Sequence, residues 1–270
     1  MAGRGPYAGV TFTDILYEKR DQIARITINR PQVLNAFTNH TMREICLALQ
    51  DAHEDDGVGV VVLTGAGERA FSAGGDVKWE GEGGERAMYD LFPDYHNAIR
   101  CCLKPVIARV NGYSIGGGHH MHYACDLTIA AEHAIFGQNG PRVGSPADGF
   151  YVNRLCRIVG HKRAREMWYL CRRYTARQML EWGLINAVVP MDQLDAEVDK
   201  WCNEILDMSP TCLKVLKASF ERELDDIRDL PFSIQRLVAP YHMDGPEQQE
   251  GTQAFQEKRR PDFRKFRVSR

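Results

Sequence analysis

Two nearly continuous apolar runs constrain the fold of this chain more than any other feature. Residues 58–63 and 105–110 are apolar at almost every position, as strands are when both faces of their sheet are covered. Each run leads into a glycine-rich turn, at residues 73–76 (Ala-Gly-Gly-Asp) and 116–118 (Gly-Gly-Gly). A helix is expected after each turn. This order predicts an α/β protein built around a buried sheet.

Shorter patterns complete the predicted fold. Residues 14–28 alternate as two short strands, and Thr38 can cap a helix that runs to about Ala52. Further strands are predicted at residues 126–130, 134–136 and 185–189. The strand–helix alternation ends near residue 200. We therefore expect a core at residues 1–200 and a helical C-terminal region at 201–270.

Composition excludes several classes of protein. The 270 residues include 34 Lys and Arg against 36 Asp and Glu, so no strong field draws the chain to nucleic acid or membrane. No run of about 18 apolar residues predicts a transmembrane helix. The eight cysteines are scattered without a Cys-x-x-Cys pattern, which favours free thiols in a reducing compartment. A cytoplasmic protein is expected.

The two glycine turns are candidates for catalysis. Glycine allows close approach of the backbone to a ligand, and amides at a helix N-terminus point towards negative charge. If the turns converge, they would form an oxyanion hole; the alternative is that both are tight packing turns. Neither turn matches the phosphate-loop or dinucleotide-binding patterns.

Three other segments carry polar side chains that could act in chemistry. His119 and His122 lie on one helical face, but no zinc-binding pattern surrounds them, so a cavity lining is predicted and a metal site is not. Ser145 lacks the pattern of a nucleophile elbow and is either a positioning hydroxyl or a helix cap. The basic, aromatic stretch 258–267 could bind RNA or a phosphorylated cofactor, or be a solvated tail.

Taken together, residues 14–266 resemble the crotonase (enoyl-CoA hydratase/isomerase) superfamily. The resemblance is carried by residues 28–31, 34–37, 70–76, 104–118, 125–130, 136–138 and 250–263. It implies a ββα spiral core, a helical C-terminal region that forms trimers and covers coenzyme A, and a homotrimer or a dimer of trimers. The implied substrate is an acyl-CoA thioester, with no permanently bound cofactor.

The resemblance also assigns roles to residues. The amides of Gly75 and Gly117 should hold the thioester oxygen, whose negative charge grows as an enolate forms. Contacts with coenzyme A are implied for Arg30, Ser72, Gly75, Asp76, Val77, Lys258 and Phe263. This gives the basic tail a function, and nucleic acid is no longer an expected partner.

Within the superfamily, the two positions that carry glutamates in hydratases are occupied by His120 and Gly140. Because hydration needs that acid pair to activate water, an ordinary hydratase is not predicted. The chain is more similar to 2-ketocyclohexanecarboxyl-CoA hydrolase and 1,4-dihydroxy-2-naphthoyl-CoA synthase. This similarity is carried by residues 112–119, 136–145, 163–171 and 257–263. Gly140 also fits synthases that recruit bicarbonate at this position.

The chain departs from both relatives at two positions. Ala147 stands where they have a catalytic aspartate, with Asp148 next to it, and Met243 stands where they have a tyrosine, with Tyr241 two residues earlier. We predict hydrolytic opening of a cyclic β-ketoacyl-CoA. In this reaction Ser145 and Tyr241 orient the ketone or water, and Asp148 or His120 moves the proton.

Other interpretations stay open at this point. Ala147, Met243, Tyr151 and Trp79 would reshape the acyl site, so the substrate could exceed one ring. The alternative functions are the ring-closing synthase, an atypical acyl-CoA lyase or hydratase, and a non-catalytic acyl-CoA- or RNA-binding protein.

Overall fold

The computed structural model describes residues 11–80, 95–145, 147, 149–223, 238–239, 241–242 and 245–266. Its strands are β1 (Ile15–Arg20), β2 (Ile23–Ile28), β3 (Val60–Gly65), β4 (Ala70–Ser72), β5 (Val106–Val110), β6 (Tyr113–Ile115), β7 (Leu127–Ala131), β8 (Ile135–Gly137), β9 (Tyr174–Thr175) and β10 (Ala187–Val189). The larger sheet has the order β1-β2-β3-β5-β7-β10, and the smaller sheet has the order β4-β6-β8-β9. Among the strands of the described residues, the pairs β1–β2 and β8–β9 are antiparallel and the other pairs are parallel.

Helices follow most of the strands and dominate the C-terminal third. They are α1 (Asn39–Glu54), α2 (Val77–Trp79), α3 (Tyr95–Cys101), α4 (Gly117–Ala124), α5 (Gly140–Val143), α6 (Phe150–Val159), α7 (His161–Leu170), α8 (Ala176–Glu181), α9 (Leu194–Leu206), α10 (Pro210–Arg222) and α11 (Pro246–Gln256). The expected α/β core with a helical C-terminal region is confirmed.

The larger sheet is covered on both faces, as its apolar runs predict. Every residue of β3 and β5 is buried. On one face Val61 and Leu63 join the main core, and on the other Val60 and Val62 pack with residues of α9. Burial of these aliphatic side chains stabilises the sheet by about 1.5–3 kcal/mol for each fully buried side chain.

Local sequence signals explain where the best-predicted helix begins. The Thr38 hydroxyl accepts a hydrogen bond from the amide of Thr41, and the Thr41 side chain in turn accepts one from the Thr38 amide. This reciprocal capping box satisfies two amides that a helix leaves unbonded. By contrast, the sequence did not predict β4, β6 or β9, because strands of two or three residues rarely show an alternating pattern.

The smaller sheet brings the two glycine turns together. Parallel strands β4 and β6 are neighbours in it, with Ser72 opposite Ser114, so the chain leaves both strands at the same edge. Gly74 follows β4 with a φ of +98°, and a β-carbon there would lie 2.9 Å from the Ile115 carbonyl oxygen and 3.1 Å from the Gly117 nitrogen. Only glycine fits so close an approach.

The C-terminal helix α11 packs against the loop that follows the smaller sheet. A β-carbon on Gly251 would overlap the carbonyl of Val143, at the end of α5. The carbonyl of Gly144 accepts a hydrogen bond from the His242 ring at 2.6 Å. Residues near the C-terminus therefore fix the loop that carries Ser145.

Two further observations concern the whole described chain. No helix in the described ranges is both long and apolar enough to cross a membrane. All eight cysteines lie among the described residues, and no disulfide joins any two of them. The second observation agrees with the thiols that the scattered spacing predicted.

Candidate active site

A cavity of about 1060 Å³ opens where the two glycine turns meet. Seven of the residues predicted to act in catalysis or to bind coenzyme A line it: Gly75, Asp76, Val77, Gly117, His120, Ser145 and Lys258. Its two sides differ in composition. We call the backbone of residues 73–75 and 116–117 the glycine wall. We call the side chains of His120, Gln138, Ser145, Ala147, Tyr151 and Trp168 the acyl wall.

The glycine wall presents two amides to the cavity. Gly75 lies between β4 and α2, and Gly117 is the first residue of α4. Among the described residues, neither amide has a hydrogen-bond acceptor. Because α4 begins at Gly117, its N-terminal amides also carry a partial positive charge. The wall can therefore stabilise an oxyanion.

Phe37 links the two turns although it belongs to neither. Its backbone pairs with the first turn, where the Phe37 amide donates to Gly74 and the Asp76 amide donates to Phe37, both at 2.9 Å. Its ring packs so tightly on the second turn that a β-carbon on Gly117 would overlap it. One buried residue thus fixes the spacing between the two amides.

Three of the residues assigned to coenzyme A binding do not line the cavity. The Arg30 guanidinium binds the Ala36 carbonyl and the Asp76 carboxylate. Ser72 is fully buried, and its hydroxyl accepts a hydrogen bond from the Gly74 amide at 3.2 Å. Phe263 is half-buried in a 3-10 turn at Phe263–Phe266 and is not part of the cavity lining. Arg30 and Ser72 hold the glycine wall in place.

Asp148 and Tyr241 were predicted to supply the acid and the hydroxyl that Ala147 and Met243 lack. Asp148 lies outside the described residues, as does Met243. Tyr241 is 83% exposed and is not part of the cavity lining. Its neighbour His242 is the residue that anchors this turn to Gly144.

His120 occupies the centre of the acyl wall. Its Nε2 is 2.9 Å from Oε1 of Gln138, its ring stacks on Tyr151 at 4.9 Å, and it lies 5.3 Å from Trp168. Burial, together with the nearby His96 ring, lowers the pKa of His120 to about 3. The imidazole is therefore neutral at physiological pH, and it can orient a substrate but not act as a cationic acid.

Two buried N–H groups on the acyl wall have no acceptor. Nε2 of Gln138 and Nε1 of Trp168 meet no hydrogen-bond partner in the part of the chain that the structure describes. Leaving such donors unmatched costs about 1–3 kcal/mol each. An unmatched buried donor calls for a specific explanation, such as a bound water or ion or a catalytic role.

Gly140 and Ser145 form a tight loop between these donors. The Ser145 amide donates to the Gly140 carbonyl at 3.0 Å, and a β-carbon on Gly140 would overlap the Ser145 carbonyl. No side chain fits at position 140 unless this loop moves. Ala147 is also part of the lining.

The sequence analysis missed a carboxylate at the edge of the glycine wall. Glu80 lines the cavity, and a β-carbon on Gly75 would overlap its carboxylate. Asp76 also lines the cavity, but its oxygens accept from Lys78 and Trp79 amides and from Arg30. Position alone could have indicated Glu80, because it lies one helical turn beyond the Asp76 N-cap.

Two of the clustered histidines contact each other directly. His119 and His122 share a helical face as predicted, and Nε2 of His122 is 3.0 Å from Nδ1 of His119. The two rings therefore bond to each other. No group of three or more potential ligands is arranged for a metal among the described residues.

A comparison with protein families agrees with this geometry. Residues 18–266 match the model of the enoyl-CoA hydratase/isomerase family. An enoyl-CoA hydratase from Mycobacterium avium subsp. paratuberculosis is 30% identical, with a TM-score of 0.83 over 94% of this chain and 99% of that one.

Two further solved structures extend the comparison. An enoyl-CoA hydratase/isomerase from Xanthobacter autotrophicus is 32% identical, with a TM-score of 0.76 over 92% of this chain and 94% of that one. A methylmalonyl-CoA decarboxylase in complex with 2-nitronate-propionyl-CoA is 25% identical, with a TM-score of 0.84 over 94% and 99% of the two chains. Hydratase, isomerase and decarboxylase chemistries thus occur on this fold.

Proposed function

Because the chain belongs to the enoyl-CoA hydratase/isomerase family, the crotonase superfamily, we propose that it hydrolyses a cyclic β-ketoacyl-CoA by retro-Claisen cleavage. One observation carries this proposal. The two amides of the glycine wall are available to an enolate, while the positions that hold the acid pair in hydratases are a neutral His120 and a Gly140 with no room for a side chain.

The chemistry follows from this arrangement. Water adds through its oxygen to the ring ketone, and the bond between the ketone carbon and the α-carbon breaks. The electron pair of that bond passes into the thioester enolate, whose oxygen accepts hydrogen bonds from Gly75 and Gly117. A proton is then delivered to the α-carbon. The product is a carboxylic acid that remains a thioester at its other end.

The acyl wall would position the ketone and the water. Ser145 lines the cavity beside Gly140, and its hydroxyl can orient the ketone. Neutral His120 can donate or accept one hydrogen bond without changing charge. Tyr241, which is exposed, does not take part in this step in the arrangement described here.

The proton carrier is a carboxylate in this proposal. Asp148 is the candidate from the sequence, and Glu80 is the candidate that the cavity adds. A single-site test separates them, since Glu80→Gln and Asp148→Asn each remove one charge with little change in size. The variant at the true carrier should lose at least about 100-fold in kcat, as general acid–base groups contribute 10²–10⁴.

Mass spectrometry of the reaction with 2-ketocyclohexanecarboxyl-CoA tests the function directly. The expected product is heavier by one water and carries a new free carboxyl group, which a carbodiimide coupling reveals. A product that gains water but contains no new carboxyl group would indicate hydration and would overturn the proposal.

The ring-closing 1,4-dihydroxy-2-naphthoyl-CoA synthase is a second candidate, and one observation favours it. The unmatched donors of Gln138 and Trp168 beside Gly140 fit a small oxyanion such as bicarbonate. Gln138 Nε2, Trp168 Nε1 and the Ser145 hydroxyl would hold it, and bound bicarbonate would supply a base. If the protein removes water from o-succinylbenzoyl-CoA and bicarbonate stimulates this reaction, the synthase function is correct and the hydrolase proposal is wrong.

Assembly into trimers, with residues 201–270 as the trimerisation and coenzyme A-covering region, is part of the same proposal. Three apolar side chains of α10, Val215, Leu216 and Phe220, are more than half exposed. Such an exposed set is typical of an interface. Phe255 and Lys258 line the cavity from α11 and the turn after it. Light scattering should give about three or six times 30.6 kDa.

A further inference from the structure

Two arginines line the cavity from segments that are far apart in sequence. Arg142 lies on α5, and its Nη2 donates to the Cys171 carbonyl at 3.0 Å. Arg173 follows α7, and it donates from Nη1 to the Gln138 carbonyl at 2.9 Å and from Nη2 to Oδ1 of Asn139 at 3.2 Å. Both side chains are part of the cavity lining. These bonds leave each guanidinium with further N–H donors.

The turn that presents the two arginines is held by an unusual backbone conformation. Cys171 is buried and has a φ of +47°, in the left-handed region that few non-glycine residues adopt. This conformation ends α7, directs the Cys171 carbonyl to Arg142, and returns the chain so that Arg173 faces the same wall. A conformation of this kind costs about 1–3 kcal/mol, and such costs are concentrated at functional sites.

The positive charge of this pair is not neutralised by the chain. Among the described residues neither Arg142 nor Arg173 contacts a carboxylate, whereas the adjacent Arg172 pairs with Glu166 at 3.3 Å. Partial desolvation and the charge of Arg142 lower the pKa of Arg173 below its ordinary value. Both arginines are exposed on the cavity side and lack a carboxylate partner among the described residues. An anion that binds between two such cations is stabilised by both charges.

The position of the pair indicates which anion it receives. Arg173 binds the backbone of Gln138, whose side chain contacts His120 on the acyl wall. Three other cations belong to the lining: Arg69 directly before β4, Lys78 on α2 and Lys258 just beyond the C-terminal end of α11. Those lysines suit the phosphates of coenzyme A, whereas Arg173 is tied to the segment that carries Gln138 of the acyl wall.

We propose that Arg142 and Arg173 bind a carboxylate at the far end of the acyl chain. The planar fork of a guanidinium matches a carboxylate in two-point contact. The inference rests on the proposed function and extends it: ring opening creates a carboxylate distal to the thioester, and this pair would stabilise it. The substrate class is therefore a cyclic precursor of a dicarboxylic acid monothioester.

A pair of matched ligands isolates this contact. Pimeloyl-CoA and heptanoyl-CoA both carry seven-carbon acyl chains and differ in the terminal carboxylate. Isothermal titration of the full-length protein should show at least about tenfold tighter binding of pimeloyl-CoA. The double variant Arg142→Gln/Arg173→Gln should bind the two ligands equally. Arg172→Gln is the control and should keep the preference.

The other outcomes distinguish a failure of the carboxylate site from a failure of the proposed reaction. Equal affinity of the unaltered protein for both ligands overturns the proposal. Equal weakening of both ligands in the double variant would assign the arginines to the phosphates of coenzyme A and would also overturn it. Circular dichroism confirms that the variants fold. If the preference is present but 2-ketocyclohexanecarboxyl-CoA is not opened, the proposed reaction fails while the carboxylate site stands.

Discussion

The two sides of the cavity are built by different means. The glycine wall consists of backbone amides whose positions follow from two strand ends, from Phe37 and from glycines that tolerate no side chain. The acyl wall consists of side chains from α4, α6, α7 and the loops after β8 and α5. The first wall can stabilise an enolate whatever the acyl group is. The comparison indicates that the second decides which reaction the enolate undergoes.

The largest effect is expected from a change to the glycine wall. In Gly117→Ala the new β-carbon would overlap the Phe37 ring, so the amide or the ring must move. Loss of one oxyanion donor costs about 10²–10³ in kcat. We expect a drop of that size in kcat for 2-ketocyclohexanecarboxyl-CoA.

Gly57→Ala is the control for this substitution, because Gly57 lies outside the cavity lining and its β-carbon would meet only the Asp55 carboxylate, at 3.1 Å. It should leave kcat unchanged. If Gly117→Ala retained more than a tenth of the activity, the glycine wall would not be the enolate site.

A change to the acyl wall should have the next largest effect. Trp168→Phe keeps a ring beside His120 but removes the buried Nε1–H donor. A hydrogen bond to a charged group contributes about 1.5–3 kcal/mol, which corresponds to a loss of about 10- to 100-fold in kcat/KM. Trp182→Phe, whose ring packs on Tyr174 away from the cavity, should be unaffected. Equal kinetics for the two variants would mean that this donor meets no ligand.

The histidines behind the acyl wall should make stability depend on pH. The pKa of His120 and of His122 is about 3 in the folded protein, chiefly because both are buried, whereas an unfolded histidine has a pKa near 6.5. Between these values the unfolded chain binds more protons. The free energy of unfolding should therefore fall as the pH drops below about 6.5, by about 1.4 kcal/mol per pH unit for each histidine.

Urea unfolding at pH 8, 6 and 5 measures this slope. His120→Gln removes one titrating group, so the slope should fall by the contribution of one histidine, about 1.4 kcal/mol per pH unit. His133→Asn alters an exposed histidine and should leave it unchanged. An unaltered slope in His120→Gln would contradict the neutral imidazole on which the proposed chemistry depends.

The smallest effect is expected at Tyr241. Because its side chain is exposed and lies off the cavity surface, Tyr241→Phe should change kcat by less than about twofold. Steady-state kinetics with the same substrate decides the matter. A loss of tenfold or more would show that the hydroxyl reaches the reacting atoms during turnover, and the acyl wall would then have to include this turn.

The sequence predicted the glycine wall better than the acyl wall, for a physical reason. Apolar runs mark β3 and β5, and Thr38 marks the start of α1, because these signals lie within a few neighbouring residues. Fold class and family could therefore be predicted, and both are confirmed. Convergence of the two glycine turns depends on the pairing of β4 with β6, two short strands that the sequence did not predict.

The contents of the acyl wall depend on contacts between distant segments. Gln138 and Trp168 are 30 residues apart, and no local pattern marks either of them as a buried donor without an acceptor. The presence of both Arg142 and Arg173 on the cavity lining likewise depends on the turn at Cys171. In the sequence pattern, this turn appears only as the end of a helix. Roles that depend on such contacts could not be predicted from spacing.

The position of Phe37 has a consequence for protein engineering. Since this residue ties the two amides to each other through its backbone on one side and its ring on the other, the enolate-binding unit is held without help from Ser145, Ala147 or Trp168. Those three positions could be randomised together in a library while the amides keep their spacing. Variants that make or break other carbon–carbon bonds could then be selected from this library, because the glycine wall would still bind the enolate.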